Sequence, residues 1–218
     1  MGHHHCRTDF HCLRIACGTL MQIAGIGFRA KTARAIAIAL ANGTSGPSYV
    51  SRWEIPLHDP AVPATSQPHH EVMELSWDKA KSAVRPIEGR IEEIATDTLA
   101  KLTNELRSRN VLIRTVGIVG SPDRNLERIG NPHIRAHAAE GILFRKVLET
   151  AAGNHGLLWR SFSDRSFDEF AAAELGRPSP EITAVLTAIG HAAGKPWRAD
   201  ERLAATAAWI SFKALAKH

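Results

Sequence analysis

After Cys17 the chain has no cysteine: Cys6, Cys12 and Cys17 all fall within the first 20 of 218 residues. A disulfide framework is therefore excluded for the body of the chain, and a reducing, cytoplasmic home is expected. Long apolar runs are missing too. The nearest, Gln22 to Ala41, is interrupted by Arg29, Lys31 and Arg34. It falls short of the roughly 18–20 apolar residues that a membrane span requires, so no membrane partner is expected. Glycine-rich nucleotide loops are absent as well. Gly25-Ile26-Gly27 runs into Phe28-Arg29 with no third glycine opening a helix, which argues against a dinucleotide site. There is no Walker loop, nucleophile elbow or paired Cys-x-x-Cys, and no His-Glu-x-x-His motif.

What is present describes one globular unit. Hydrophobic residues make up 44% of the chain, enough for a real core. The formal net charge of +5 is compatible with a polyanion such as nucleic acid, or with a solvated basic surface. Residues 1–20 differ in character from the rest. Met1-Gly-His3-His4-His5 resembles an affinity tag, and Met21 opens a clean strand. The segment therefore reads as an extraneous leader, and 21–218 as a single domain. His3, His4, His5, Cys6, His11, Cys12 and Cys17 do not match the paired spacing of a zinc module.

Periodicity predicts three strands near the start, at Met21–Phe28, Arg34–Leu40 and Tyr49–Ile55, joined by connections short enough for an antiparallel meander. Arg29 to Thr32 reads as a polar connection, and the alanines of Arg34–Leu40 also permit a helix. Pro56 to Pro68 carries four prolines and reads as a loop. His69 and His70 follow it, as surface histidines whose side chains diverge. A long helix is expected over Ser76–Arg109, broken or kinked at Pro86. Its stripe is Ile91, Ile94, Ala95, Thr98, Leu99, Leu102 and Leu106. Val111–Val119 reads as a central strand covered on both faces. Asn131-Pro132 is an N-cap followed by proline at the first helical position, opening a helix that a glycine at 153 or 156 stops. A fifth strand is expected at Leu157–Phe162. Helices should follow up to Leu175, over Ser179–Ala193 and over Ala199–Lys217.

The order β-β-β-α-β-α-β-α-α, together with three local segments, resembles the ribonuclease H-like fold, and within it the RuvC-type Holliday-junction resolvases and their uncharacterised bacterial relatives. The segments are Ile23-Ala-Gly-Ile-Gly27, Ala138-Ala-Glu-Gly-Ile-Leu143 and Trp197-Arg-Ala-Asp-Glu-Arg-Leu-Ala-Ala205. The resemblance implies an α/β fold with a mixed five-stranded sheet and helices on both faces. It also implies a nuclease site in which about four carboxylates hold two divalent cations, Mg²⁺ or Mn²⁺.

The carboxylates fall short of that pattern. Gly27 stands at the first-strand aspartate position, and Val119 or Gly120 at the fourth-strand acid. Asp200 keeps the first acidic position of the last helix, and Leu203 replaces the second. A catalytically degenerate nucleic-acid-binding or accessory protein is therefore expected. The alternatives are a Mg²⁺-dependent, structure-selective nuclease with a rearranged acidic site, and a protein-interaction or regulatory module. The rearranged site would use Asp123, Glu140, Asp200 and Glu201, with Glu140 and Asp200 as metal ligands. Each acid also has a plain role: Asp123 in a turn, Glu140 pairing with Arg135 or Arg145, and Asp200 and Glu201 in the first turn of a helix. His133 and His137 share a helix face, a spacing that can bind a transition metal, and they are expected as surface residues facing the loop. For DNA or RNA the expected contacts are Arg114, Arg124, Arg128, Arg135, Arg198 and Arg202, with Trp197 stacking a base. A homodimer is compatible with this reading.

Overall fold

The computed structural model describes residues 12–14, 20–43 and 46–215; the leader's His3, His4, His5, Cys6, His11 and Cys17 lie outside them. Strands β2 (Leu20–Lys31), β3 (Arg34–Gly43) and β4 (Gly46–Pro56) form the antiparallel meander. A short strand β1 (Cys12–Arg14) pairs antiparallel with the first residues of β2, so part of the expected leader backbone joins the sheet. Helix α1 (Trp77–Ser108) leads into β5 (Val111–Gly120), and α2 (Pro132–Asn154) into β6 (Leu158–Ser163). Helices α3 (Phe167–Leu175), α4 (Ser179–Ala193) and α5 (Ala199–Leu215) follow. The strand order is β4-β3-β2-β5-β6, with β5 parallel to both β2 and β6. That mixed five-stranded path, covered by helices on both faces, is the ribonuclease H-like arrangement the element order implied. No described helix is long and apolar enough to cross a membrane.

Side-chain alternation in the strands assigns the two cores. Ala24, Ile26, Phe28, Ala35, Ala37, Ala39, Val116 and Ile118 face one side, where α1 supplies Ile91, Ala95, Leu99 and Leu106 and α2 supplies Phe144, Val147 and Leu148. Ile36, Ile38, Leu40, Val119 and Phe162 face the other, against α3, α4 and α5. A period of two is what β-strands require for this division, and it settles the alanine-rich β3 as a strand.

Two local expectations give way. The β2–β3 connection is shorter than expected, because Arg29, Ala30 and Lys31 remain in β2 and only Thr32 and Ala33 turn the chain. Ala33 takes a φ of 62°, the left-handed conformation a tight hairpin turn demands. Arg29 thereby becomes a strand residue facing α5 instead of a loop residue. Helix α1, for its part, continues through Pro86 without ending. Pro86 and Ser82, whose carbonyl loses its helical donor, are both exposed. Solvent can satisfy that carbonyl, so the helix survives the missing N–H.

Candidate functional site at the carboxyl edge of the sheet

Parallel pairing places the carboxyl ends of β2, β5 and β6 on one edge. Helices α1 and α2 run antiparallel to the strands they lead into or follow from, and α5 runs back along β2. The N-termini of α1, α2, α3 and α5 therefore open onto the same edge. Open α/β sheets bind ligands at such an edge, and each helix start adds partial positive charge.

The strand positions where carboxylates were expected from sequence are closed by packing. A Cβ on Gly27 would lie 1.8 Å from the carbonyl oxygen of Ala204 and 2.5 Å from the amide nitrogen of Ala208. On Gly117 of β5 it would lie 2.3 Å from the carbonyl oxygen of Ala207. The glycines let the backbone of α5 lie directly on the sheet, and fully buried Ala204, Ala205, Ala207 and Ala208 fit that distance. Val119 is fully buried in the core beneath α5, and a Cβ on Gly120 would touch the stem of Arg145 at 3.0 Å. The residues present do not fit a two-cation carboxylate site at these strands.

The four acids named from sequence have separate partners. Asp123 accepts from Arg145 Nη2 at 2.6 Å. Arg145, nearly buried, also bonds the Ser121 carbonyl at 3.0 Å and Glu149, which in turn accepts from Ser161. This network fixes the end of β5 and the start of its loop. Asp200 lies 3.6 Å from Arg29 and 3.5 Å from Lys31, while Arg29 donates to Asp164 at 3.1 Å. Glu201 accepts from the backbone N–H of Arg198 at 2.8 Å, the reach-back of a glutamate at the third helical position to the residue just before its helix. Glu140 is fully buried on α2 and pairs with neither Arg135 nor Arg145. Its Oε1 accepts from the backbone N–H of His70 at 3.2 Å and bonds His70 Nδ1 at 2.7 Å.

The histidines therefore differ from the surface pair expected. The proline-rich segment before them is folded rather than extended. Thr65, fully buried, accepts from the backbone N–H of Asp59 at 2.8 Å and donates to the carbonyl of Val62 at 2.6 Å, and Arg90 holds Asp59 at 2.9 Å. The Arg90 guanidinium and the Ala61 N–H hold the Asp59 carboxyl below its ordinary range. The compact loop turns both histidines inward. His69 is 6% exposed and stacks at 5.8 Å from Trp77. Desolvation, aided by the neighbouring His70, pushes its pKa down to about 4, so at neutral pH its 3.7 Å approach to Glu88 is not an ion pair. His70 meets His133 and His137, with ring centroids 5.1 and 4.4 Å away. Among the described residues, these three imidazoles are the only group of three or more His, Cys, Asp or Glu whose ligand atoms all lie within 4.8 Å of one another. The i, i+4 spacing on α2 was visible in the sequence; His70, which completes the group, was not.

The basic residues divide by position. Arg124, Arg128, Arg198 and Arg202 are exposed at the carboxyl edge, as is Arg165, which sequence reasoning missed although it follows a strand end. None of the five forms an ion pair with a described residue. Arg135 donates to the Ile129 carbonyl at 3.2 Å and lies over the ring of Trp77. Arg114 sits near the opposite end of β5, six residues before Gly120, a distance of roughly 20 Å along a strand. Trp197 packs on α4, where a Cβ on Gly190 would meet its ring at 2.5 Å. Arg202 also lines a groove of about 480 Å³ between α3, α4 and α5.

No family model matches the chain, and no curated protein matches it. Among solved structures it is similar to Thermus thermophilus RuvC, at 12% identity and a TM-score of 0.49 over 89% of this chain and 96% of that one. The structure titled as T. thermophilus RuvC in complex with Holliday junction substrate gives 12% and 0.47 over 87% and 92%. An Aquifex aeolicus member of the Ppx/GppA family gives 14% and 0.34 over 69% of this chain and 38% of that one.

Proposed function

We propose that the protein binds the phosphate backbone of DNA or RNA at the carboxyl edge of its sheet and does not cleave it. The observation that carries this reading is the charge balance of that edge. Five exposed arginines (Arg124, Arg128, Arg165, Arg198 and Arg202) form no ion pair among the described residues, while most of the acids around them are already engaged, Asp168 and Glu169 at the start of α3 excepted. Asp123 is held by Arg145, Asp164 and Asp200 by Arg29, Glu127 by Lys81, and Glu201 by its own helix start. Uncompensated guanidinium groups beside four helix N-termini form a surface suited to phosphate. The non-catalytic half of the reading is supported by the seam at Gly27 and Gly117, where α5 fills the space a carboxylate and a cation would need.

The test is binding of fluorescent single-stranded and branched DNA and RNA over a salt series, with Mg²⁺ or Mn²⁺ added in a parallel cleavage assay. Affinity should fall steeply with salt. Arg124→Ala and Arg128→Ala should each weaken binding and flatten the log–log salt slope by about 0.7 to 0.9. Metal-dependent cutting abolished by Asp200→Ala would overturn the non-catalytic half of the reading and favour the rearranged nuclease site. Absence of binding at low salt would overturn the other half and leave a protein-interaction module.

A further inference from the structure

We infer that His70, His133 and His137 form a binding site for a transition-metal cation of the Zn²⁺ class, with Glu140 as the group that orients His70. The site goes beyond the nucleic-acid reading and does not depend on it.

Three features converge on this assignment. The first is the donor set. One ring nitrogen from each imidazole lies within 4.8 Å of the other two, and His133 and His137 stand one turn apart on α2 with centroids 4.5 Å apart. Nitrogen ligands at about 2.0–2.1 Å from a tetrahedral ion sit roughly 3.3 Å from each other. His133 and His137 are exposed and free to rotate that far.

The second is the tautomer of His70. Glu140 Oε1 already accepts from the backbone N–H of His70 at 3.2 Å, and an oxygen acting as acceptor toward the ring as well, at 2.7 Å, puts the proton on Nδ1. The lone pair is then on Nε2, a buried atom with no protein partner. A carboxylate, an imidazole and a metal in series is the arrangement that fixes ring orientation and raises ligand basicity in metal sites.

The third is Glu140 itself. It is fully buried, forms no ion pair with an arginine or lysine among the described residues, and its Oε2 has no partner. A divalent cation one imidazole away would be a counter-charge that the chain itself does not supply. The loop holding His70 and the first turns of α2, capped by Asn131 with a 3.0 Å bond to the Ile134 N–H, preset the geometry.

The chemistry of the ligands selects the ion. Three neutral imidazoles suit Zn²⁺, Co²⁺, Ni²⁺ or Cu²⁺ and do not suit Mg²⁺ or Ca²⁺, which require oxygen. Three protein ligands leave a fourth position for water or an anion. His137 also lines a groove of about 230 Å³ with Ser121 and Arg124, so an anionic fourth ligand would find a guanidinium beside it.

The test uses the full chain with ZnCl₂ alone, reading bound zinc per chain and the shift in melting temperature, and Co²⁺ as a spectroscopic probe of tetrahedral nitrogen coordination. Because the leader carries its own histidines, the His3→Ala/His4→Ala/His5→Ala variant is measured alongside. The wild type and that variant should both bind zinc with a rise in melting temperature and show the Co²⁺ bands, while Mg²⁺ produces neither. In the leader-variant background, His133→Ala/His137→Ala, which alters only exposed side chains, should lose both signals while keeping its fold. Glu140→Gln should weaken zinc binding about 10- to 100-fold. Zinc binding and thermal shift that survive His133→Ala/His137→Ala, or that vanish with the leader histidines, would overturn the site. Loss of nucleic-acid binding would not bear on it.

Discussion

Replacing Gly27 with alanine tests how α5 meets the sheet. The added methyl would stand 1.8 Å from the Ala204 carbonyl oxygen and 2.5 Å from the Ala208 amide nitrogen. Both obstacles are helix backbone, so no side-chain rotation can relieve the clash. Helix α5 would have to lift by roughly 1.5 Å, more than the 0.5–1 Å gap that already forfeits a quarter to a half of the dispersion energy of a contact. The contacts at stake include Ala204, Ala205, Ala207, Ala208, Trp209 and Ile210, all buried. Overpacking typically costs about 1–3 kcal/mol, and rigid backbone on one side puts Gly27→Ala at or above the top of that range. With a urea slope of about 1–3 kcal/mol/M, the unfolding midpoint should fall by about 1 M or more. The same exchange at Gly89, which lies in α1 with nothing within 4 Å, should raise stability by up to about 1 kcal/mol through helix propensity alone. Urea unfolding followed by far-UV circular dichroism compares the three proteins. A Gly27→Ala midpoint equal to that of the wild type would refute the claim that α5 closes this position. Gly27→Asp carries the same Cβ, so it should destabilise as well and should not create Mg²⁺-dependent cleavage.

Burial of His69 makes stability depend on pH in a known direction. Its folded pKa of about 4 lies below the ordinary 6.5, so the unfolded chain binds the extra proton first. The stabilisation is fully present above about pH 6.5 and is lost as pH falls toward 4, on the order of 3 kcal/mol in all. Thermal melts of His69→Phe should be flatter over that window, and an unchanged slope would count against the burial argument. In Arg145→Ala, Glu149 would remain largely buried beside Ser161 without its cation. Removing one partner of such a pair costs about 3–5 kcal/mol, so the melting temperature should drop sharply; a drop within about 2 °C, the size of a surface substitution, would contradict the network.

Local chemistry made most of the fold legible. Asn131-Pro132 started α2 where an N-cap and a first-turn proline should, and Gly156 and Gly176 adopt the left-handed φ values of 64° and 59° that helix ends favour. Alternation assigned β3 and β5 correctly because each face of the sheet buries its own set. The hairpin at Thr32-Ala33 was hidden because it uses alanine at positive φ in place of the glycine or asparagine that normally announces such a turn. That concealment misplaced Arg29 in a loop and with it the pairing to Asp164 and Asp200. The contact between His70 and Glu140 spans 70 residues, a separation beyond any periodic pattern. It depends on Thr65 and Arg90 compacting a loop whose prolines suggested extension.

The two faces of the carboxyl edge handle charge in different ways. On the α5 side, Asp164 and Asp200 flank Arg29, whose side chain is only 12% exposed, with Lys31 on the outer side of Asp200. Here the compensating cation is part of the chain. A divalent ion could enter between these carboxylates only by expelling a guanidinium anchored in the middle of the sheet, leaving that charge largely buried and unpaired. On the α2 side the relation is reversed. Glu140 is buried more deeply than either aspartate, yet what faces it is an imidazole with a free nitrogen, next to two more. The fold therefore supplies the counter-charge of one acidic face from its own chain and leaves the other to a bound cation. The histidine face adjoins Arg124 and the loop that carries Arg128. A cation held there would add positive charge to the surface proposed to meet phosphate, so zinc occupancy and polyanion affinity are expected to rise together.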